Sequence, residues 1–166
     1  LNQAVLAYQS TTNFNGNTYI EVIGGRNVAY GIDVQCDPNL PNDTVVNLNG
    51  SETTISVTSK GDSVVLRPSG ATGYINVSSD TVNLSAKSAE GDAFGTRTQY
   101  GASLKFLNPN SNINISALSD NGNAFGMLNS TYGGTNTFQF GSTEIEAKSL
   151  RKLCKMLDSS QWPLET

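Results

Sequence analysis

An internal repeat constrains the fold of this chain more than any other feature of its sequence. Residues 84–95 (LSAKSAEGDAFG) return as residues 115–126 (ISALSDNGNAFG), 31 positions later. A Tyr-Gly step follows each copy, at Tyr100 and at Tyr132, and looser copies precede them around residues 20–31 and 55–65. Alternating apolar residues indicate strands, and the Gly, Asp and Asn residues between them indicate turns. The repeat therefore predicts a strand-turn-strand unit that recurs about every 30 residues.

Apolar alternation outside the repeat predicts about a dozen short strands in all. The predicted strands cover residues 19–22, 28–34, 45–48, 53–58, 63–66, 74–77, 81–86, 93–97, 103–106, 112–117, 124–128 and 135–140. Four prolines fall between these segments, where the missing amide N–H costs least. Many short strands with frequent turn signals favour a mainly β fold, which we expect to be an antiparallel β-sandwich or a set of stacked β-hairpins.

The end of the chain shows a different pattern, which predicts one C-terminal amphipathic helix. Thr143 and Glu146 have the spacing of a capping box, and an apolar stripe with helical spacing follows it. This stripe consists of Leu150, Leu153, Cys154 and Leu157. We therefore expect a β domain over residues 1–143, and a helix and tail over residues 144–166 that packs on this domain or on a partner.

Composition and missing residue types exclude several function classes. The net charge is −4, which leaves no basic field for nucleic acid, and no apolar run is long enough to insert into a membrane. Histidine is absent, so the usual general base and most zinc sites are missing. We expect no enzymatic activity, no cofactor and no metal site. The loop between Asp33 and Asp43 is interpreted as a solvated turn, with a Ca²⁺ site as the alternative.

The two cysteines leave their pairing open. Cys36 and Cys154 lie near opposite ends of the chain. They close a long loop if they form a disulfide, and they are two buried thiols if they do not.

Polar and basic residues outline a candidate interaction surface in the second half of the chain. Alternating asparagines predict a row of amides on one face of a strand, and the turn of the second repeat copy is also rich in polar residues. Basic residues predict a charged face on the expected helix, with the only tryptophan beyond it. The candidate residues are Asn108, Asn110, Asn112, Asn114, Asp120, Asn121, Asn123, Lys148, Arg151, Lys152, Lys155 and Trp162.

These features favour a non-enzymatic structural or adhesive protein of a virion, such as a bacteriophage, or of a cell surface. Only 14% of the residues are charged, and amides and hydroxyls take their place. We expect an extracellular, cell-surface or virion location, with homo-oligomers or other subunits of the same assembly as partners.

Two alternatives have different sequence requirements. A carbohydrate- or receptor-binding module, with surface glycans as ligands, needs exposed aromatic rings. Tyr74, Tyr100 and Tyr132 are candidates, although the repeat indicates packing positions for the last two. A carboxylate-based hydrolase needs two acids about 5–10 Å apart in a groove.

Overall fold

The computed structural model describes residues 2–37, 39–40, 42–130, 132–139 and 141–150, and these residues form fifteen β-strands and no helix. The strands are β1 (Asn2–Tyr8), β2 (Thr11–Phe14), β3 (Thr18–Ile23), β4 (Ala29–Gln35), β5 (Thr44–Leu48), β6 (Glu52–Ser59), β7 (Ser63–Ser69), β8 (Gly73–Val77), β9 (Thr81–Ser88), β10 (Ala93–Thr98), β11 (Ser103–Phe106), β12 (Ser111–Ser119), β13 (Ala124–Asn129), β14 (Thr135–Phe138) and β15 (Gly141–Ser149).

The strands wind into a β-solenoid of five coils, each made of three consecutive strands. Coil 1 is β1–β3, coil 2 is β4–β6, coil 3 is β7–β9, coil 4 is β10–β12 and coil 5 is β13–β15. Every coil contributes one strand to each of three parallel five-stranded sheets. The first sheet has the order β1-β4-β7-β10-β13, the second β14-β11-β8-β5-β2 and the third β15-β12-β9-β6-β3. The chain therefore advances by one strand spacing, about 4.8 Å, with every coil.

The sequence repeat is one coil of the solenoid. Leu84 of β9 pairs in register with Ile115 of β12, which lies 31 residues later. The looser copies fall on the same ladder, because Ile20 pairs with Ile55 and Ile55 with Leu84. The prediction of an internal repeat of β structure is thus confirmed.

The core lies inside the coils and consists of apolar ladders that run along the solenoid. Ile55, Leu84 and Ile115 of the third sheet are almost fully buried, as are Leu104 and Phe106 of the second sheet. Each such side chain contributes roughly 2 kcal/mol through the hydrophobic effect. The apolar positions at fixed intervals along the chain are therefore what hold successive coils in register.

The expectation of an antiparallel sandwich or stacked hairpins is wrong. All strand pairs of the three sheets are parallel, and the strand that follows each turn belongs to a different sheet. Residues 89–92 and 120–123 thus form corners between the third and first sheets. Gly, Asp and Asn favour the tight backbone turns of such corners, as they favour the turns of hairpins. Side chains alternate in the same way in both kinds of sheet, so the pattern could not distinguish them.

The expected helix is wrong over its described part. Residues Gly141–Ser149 form β15, which pairs with β12 along its whole length. Ile145 lies beside Ile115 and Ala147 beside Ala117, so β15 continues two ladders of the core. This pairing outweighs the local capping signal of Thr143 and Glu146. Leu153, Cys154 and Leu157 lie outside the described residues.

Candidate functional site

The predicted row of amides lies partly on an outer sheet face and partly in a turn. Asn112 and Asn114 point outward from β12, whereas Asn108 and Asn110 lie in the turn before it. In that turn the Asn108 side-chain oxygen accepts a hydrogen bond from the Asn110 backbone N–H (2.9 Å), and the Asn108 amide donates to Asp80 (2.7 Å). The four asparagines therefore do not form one continuous surface.

The amides on the outer faces hydrogen-bond from coil to coil within the chain. On the third sheet, the Asn114 amide donates to the Asn83 oxygen at 3.1 Å. A longer row crosses the second sheet, where Asn76 donates to Asn47 and Asn47 to Asn13, each at 2.8 Å. These rows stabilise the stacking of coils, and their remaining hydrogen-bonding groups face the solvent.

The corner residues Asp120, Asn121 and Asn123 also bind the preceding coil. The Asn123 backbone N–H donates to Asp92 Oδ1 (2.7 Å), and the Asn121 side chain donates to the Ala89 carbonyl (2.7 Å). The backbone N–H of Asp120 donates to the Ser88 carbonyl at 2.9 Å. These contacts show how the polar corner of one coil is fixed on the next.

Lys148 is exposed on β15 and borders a shallow groove of about 310 Å³ on the third sheet. Ser85, Lys87, Leu118 and Glu146 also line this groove. The other basic candidates, Arg151, Lys152 and Lys155, lie outside the described residues, as does Trp162.

Two acids share a second groove beside this one. Glu144 and Glu146 line it together with Asn114 and Ser116. Alternate residues of a strand lie about 7 Å apart, which is within the range of paired catalytic carboxylates. Both glutamates are exposed on β15.

A buried ion pair on the first sheet was not anticipated from the sequence. Asp33 is fully buried and receives two hydrogen bonds from Arg67, at 2.7 and 2.8 Å. The carboxylate also accepts hydrogen bonds from the side chains of Gln3 and Gln35. The Asp33 carboxylate therefore accepts hydrogen bonds from three side chains of the same chain.

Tyr30 completes this ion-pair cluster. Arg67 donates to its hydroxyl at 2.9 Å and lies over its ring, 4.2 Å from the centroid. Burial raises the pKa of the Tyr30 phenol, and the positive charge of Arg67 partly offsets this effect. The sequence signal for the cluster was the spacing of 34 residues between Asp33 and Arg67, which is one coil.

Two tyrosines form an exposed aromatic pair at the corner between the first and second sheets. The rings of Tyr100 and Tyr132 stack with centroids 5.6 Å apart, and their exposed fractions are 52% and 78%. The interpretation of these residues as packing positions is therefore wrong. Tyr74 is instead half-buried on the second sheet, with the Lys105 amine 5.4 Å from its ring centroid.

Metal-binding groups and paired thiols are sparse in the part of the chain that the structure describes. No three His, Cys, Asp or Glu residues in this part are grouped so that they could hold a metal ion. Cys36 is a free thiol there, 3.5 Å from the Ser69 carbonyl, and Cys154 lies outside the described residues. The described residues also contain no apolar helix that could cross a membrane.

Comparison of the chain with protein-family models, with curated proteins and with solved structures gave no match.

Proposed function

We propose that the protein is a non-enzymatic structural module of an extracellular, cell-surface or virion assembly, and that it forms a dimer through coil 1. The observation that carries this proposal is the composition of the coil 1 edge. Among the described strands, the three of coil 1 each lie at the end of a sheet and pair on one side only, with β4, β5 and β6.

This edge lacks the features that normally prevent strands from pairing with other chains. Soluble proteins protect edge strands with charges, prolines or bulges. Glu21 is the only charged residue of β1, β2 and β3, and these strands contain no proline. The strand at the opposite end of the third sheet, β15, carries Glu144, Glu146 and Lys148. On the third sheet, the coil 1 edge is therefore more suited to association than the coil 5 edge.

Apolar side chains on coil 1 strengthen this argument. Leu6 and Tyr8 on β1, and Tyr19 and Ile23 on β3, are all more than half exposed. Val5, Phe14 and Ile20 pack on the core but are only partly buried, because no other described coil lies on their far side. Covering these residues would add hydrophobic free energy to the hydrogen bonds of the edge.

A second copy of the chain is the partner that fits this edge best. Three edge strands around one core can be paired together only by another three-stranded coil of similar shape. When coil 1 of one copy meets coil 1 of another, both partners contribute the same edge, with Glu21 as its one charged residue, and a twofold axis closes the interface. The result is a dimer with two solenoids end to end, which suits a rigid structural role.

Charges placed on the edge test the proposal. We expect the wild-type chain to sediment as a dimer at high concentration, and Leu6→Lys with Ile23→Lys to raise the dimer dissociation constant by about a hundredfold or more, since each buried like-charge contact costs over 1 kcal/mol. Sedimentation equilibrium over a range of concentrations measures this constant.

Thr58→Lys is the matched control, because Thr58 is exposed and pairs with Ile23 in the same row but lies inside the third sheet. This variant should dimerise like the wild type. A wild-type chain that stays monomeric up to its solubility limit would contradict the proposal. A dissociation constant of Thr58→Lys as high as that of the double variant would also contradict it.

A further inference from the structure

We infer that the groove beside Tyr100 binds one neutral sugar residue of a glycan, with the Tyr100 ring as its stacking platform. This binding function is separate from dimerisation, because the groove is formed by coils 2, 3 and 4.

The backbone holds the two tyrosines in a conformation that disfavours them. Gly70, Tyr100 and Tyr132 occupy equivalent positions of successive coils, and all have left-handed φ angles of 95°, 53° and 73°. Glycine adopts this conformation freely, whereas a residue with a side chain is strained in it. Because both rings are more than half exposed, their burial offsets little of this backbone strain. Strain of this kind that is kept at the surface points to a functional role for the rings.

One side of Tyr100 is covered and the other faces a groove. Tyr132 stacks on the first side, with an angle of 19° between the rings. On the other side lies coil 3, which has Gly70 at the equivalent position and therefore no side chain there. A groove of about 320 Å³ opens here, lined by Cys36, Ser69, Gly70, Ala71 and Tyr100.

The groove is small enough for a single sugar residue. Its volume of about 320 Å³ lies at the lower end of the range for small-ligand sites, roughly 300–1,000 Å³. The Cys36 side chain forms one wall at the level of Gly70, since a Cβ added to Gly70 would be only 2.0 Å from the Cys36 Sγ atom.

The chemistry of the lining favours a neutral sugar over other flat ligands. None of the five lining residues is charged, and the phenol and Ala71 offer apolar surface to the C–H face of a pyranose. The Ser69 hydroxyl makes no hydrogen bond with another described side chain or backbone group, so it is available to a sugar hydroxyl. A nucleobase would bring phosphates to a chain with a net charge of −4.

Binding of defined oligosaccharides to the full chain tests this inference. Hexasaccharides of glucose, galactose, mannose and N-acetylglucosamine are the neutral probes, and heparin and poly(dT) are the charged ones. We expect at least one neutral probe to bind in isothermal titration calorimetry, and Tyr100→Gly to weaken this binding about tenfold or more, because the variant loses the apolar face of the ring. Glycine suits the φ angle of this position, so the variant should fold, which its circular dichroism spectrum checks.

Two further variants make the result specific. Tyr74→Ser removes a tyrosine of the second sheet that does not line the groove, and should leave the affinity unchanged. Tyr132→Gly leaves the groove but removes the ring that supports Tyr100, and should weaken binding by a smaller factor.

The inference is overturned if no neutral probe binds at millimolar concentration, if heparin or poly(dT) binds instead, or if Tyr100→Gly binds like the wild type. Sedimentation of the same variants distinguishes this failure from a failure of dimerisation, because the Tyr100 and Tyr132 substitutions leave the coil 1 edge intact.

Discussion

Asp33 is the residue on which the polar part of the first sheet depends. It lies on the outer side of β4 yet is fully buried, because the side chains of Arg67, Gln3 and Gln35 enclose its carboxylate. These residues belong to three successive coils. Such a pair is costly to break, because an unpaired guanidinium without full solvation would remain.

Asp33→Ala is therefore expected to lower the free energy of unfolding by about 3–5 kcal/mol, whereas Asp33→Ala combined with Arg67→Leu should recover at least half of this loss. Urea unfolding followed by circular dichroism measures both values. Glu144→Ala, at an exposed carboxylate of β15, is the control and should change stability by less than about 0.5 kcal/mol. If Asp33→Ala and Glu144→Ala lowered the free energy of unfolding equally, Asp33 would not hold the coils together.

The strands of the first sheet share a local irregularity that explains the Phe-Gly step of the repeat. In β10, Phe94 and Thr96 pair with both neighbouring strands, whereas Gly95 between them has no partner in the register. Phe94 points outward and stacks on Phe125 with centroids 5.1 Å apart. Gly95 points inward, where a Cβ atom would lie 2.3 Å from Ile115 Cγ2 and 2.4 Å from the Gly126 carbonyl oxygen. The glycine thus permits close packing between two sheets.

Gly95→Ala should consequently lower the free energy of unfolding by about 2–3 kcal/mol, because neither the Ile115 side chain nor the Gly126 backbone can move away without disturbing its own coil. Thermal and urea unfolding provide the measurement. Gly16→Ala serves as its partner experiment, since an added Cβ at Gly16 has no atom within 4 Å. That variant should be neutral or slightly more stable. If the two substitutions had the same effect, the packing role of Gly95 would be wrong.

Strand positions could be predicted from the sequence, whereas strand direction could not. All twelve predicted strands overlap observed ones, because inward residues alternate with outward ones in any half-buried strand. The strands are parallel because each one pairs with the equivalent strand of the neighbouring coil. In the sequence, only the offset of 31 residues between the repeat copies indicates this pairing. The strand β15 shows the same point, because Thr143, Ile145 and Ala147 alternate with charged residues and match residues 113–117 at an offset of 30.

Side chains of the candidate site were harder to predict than the strands. The outward positions of Asn112 and Asn114 follow from alternation alone. The exposure of Tyr100 and Tyr132 does not, because it depends on a left-handed backbone at a corner. The ion pair of Asp33 and Arg67 can be predicted only if the register between coils is known, and no local sequence pattern indicates this register.

At the scale of the whole molecule, the coil is the unit of both folding and stability. Each coil contacts only its neighbours, so the free energy of a solenoid is close to a sum of coil and interface contributions. The two copies of the repeat end in the same Ala-Phe-Gly sequence, and Ala93 and Ala124 are partners in the first sheet. Residue 124 can therefore take the place of residue 93 without changing a corner.

Deletion of residues 93–123 should accordingly leave a folded solenoid of four coils. Asp92 would join Ala124 and restore the sequence Glu-Gly-Asp-Ala-Phe-Gly, and β13 to β15 would pair with β7 to β9. The circular dichroism spectrum should remain that of β structure, and the denaturant m-value should fall by about a fifth, in proportion to the surface that unfolds.

Deletion of residues 93–108 removes about half a coil and places β12 where a strand of the first sheet belongs. This variant should not fold, since its inward residues would match no ladder of the core. A folded half-coil deletion, or an unfolded whole-coil deletion, would mean that the 31-residue repeat is not the unit of this protein's stability.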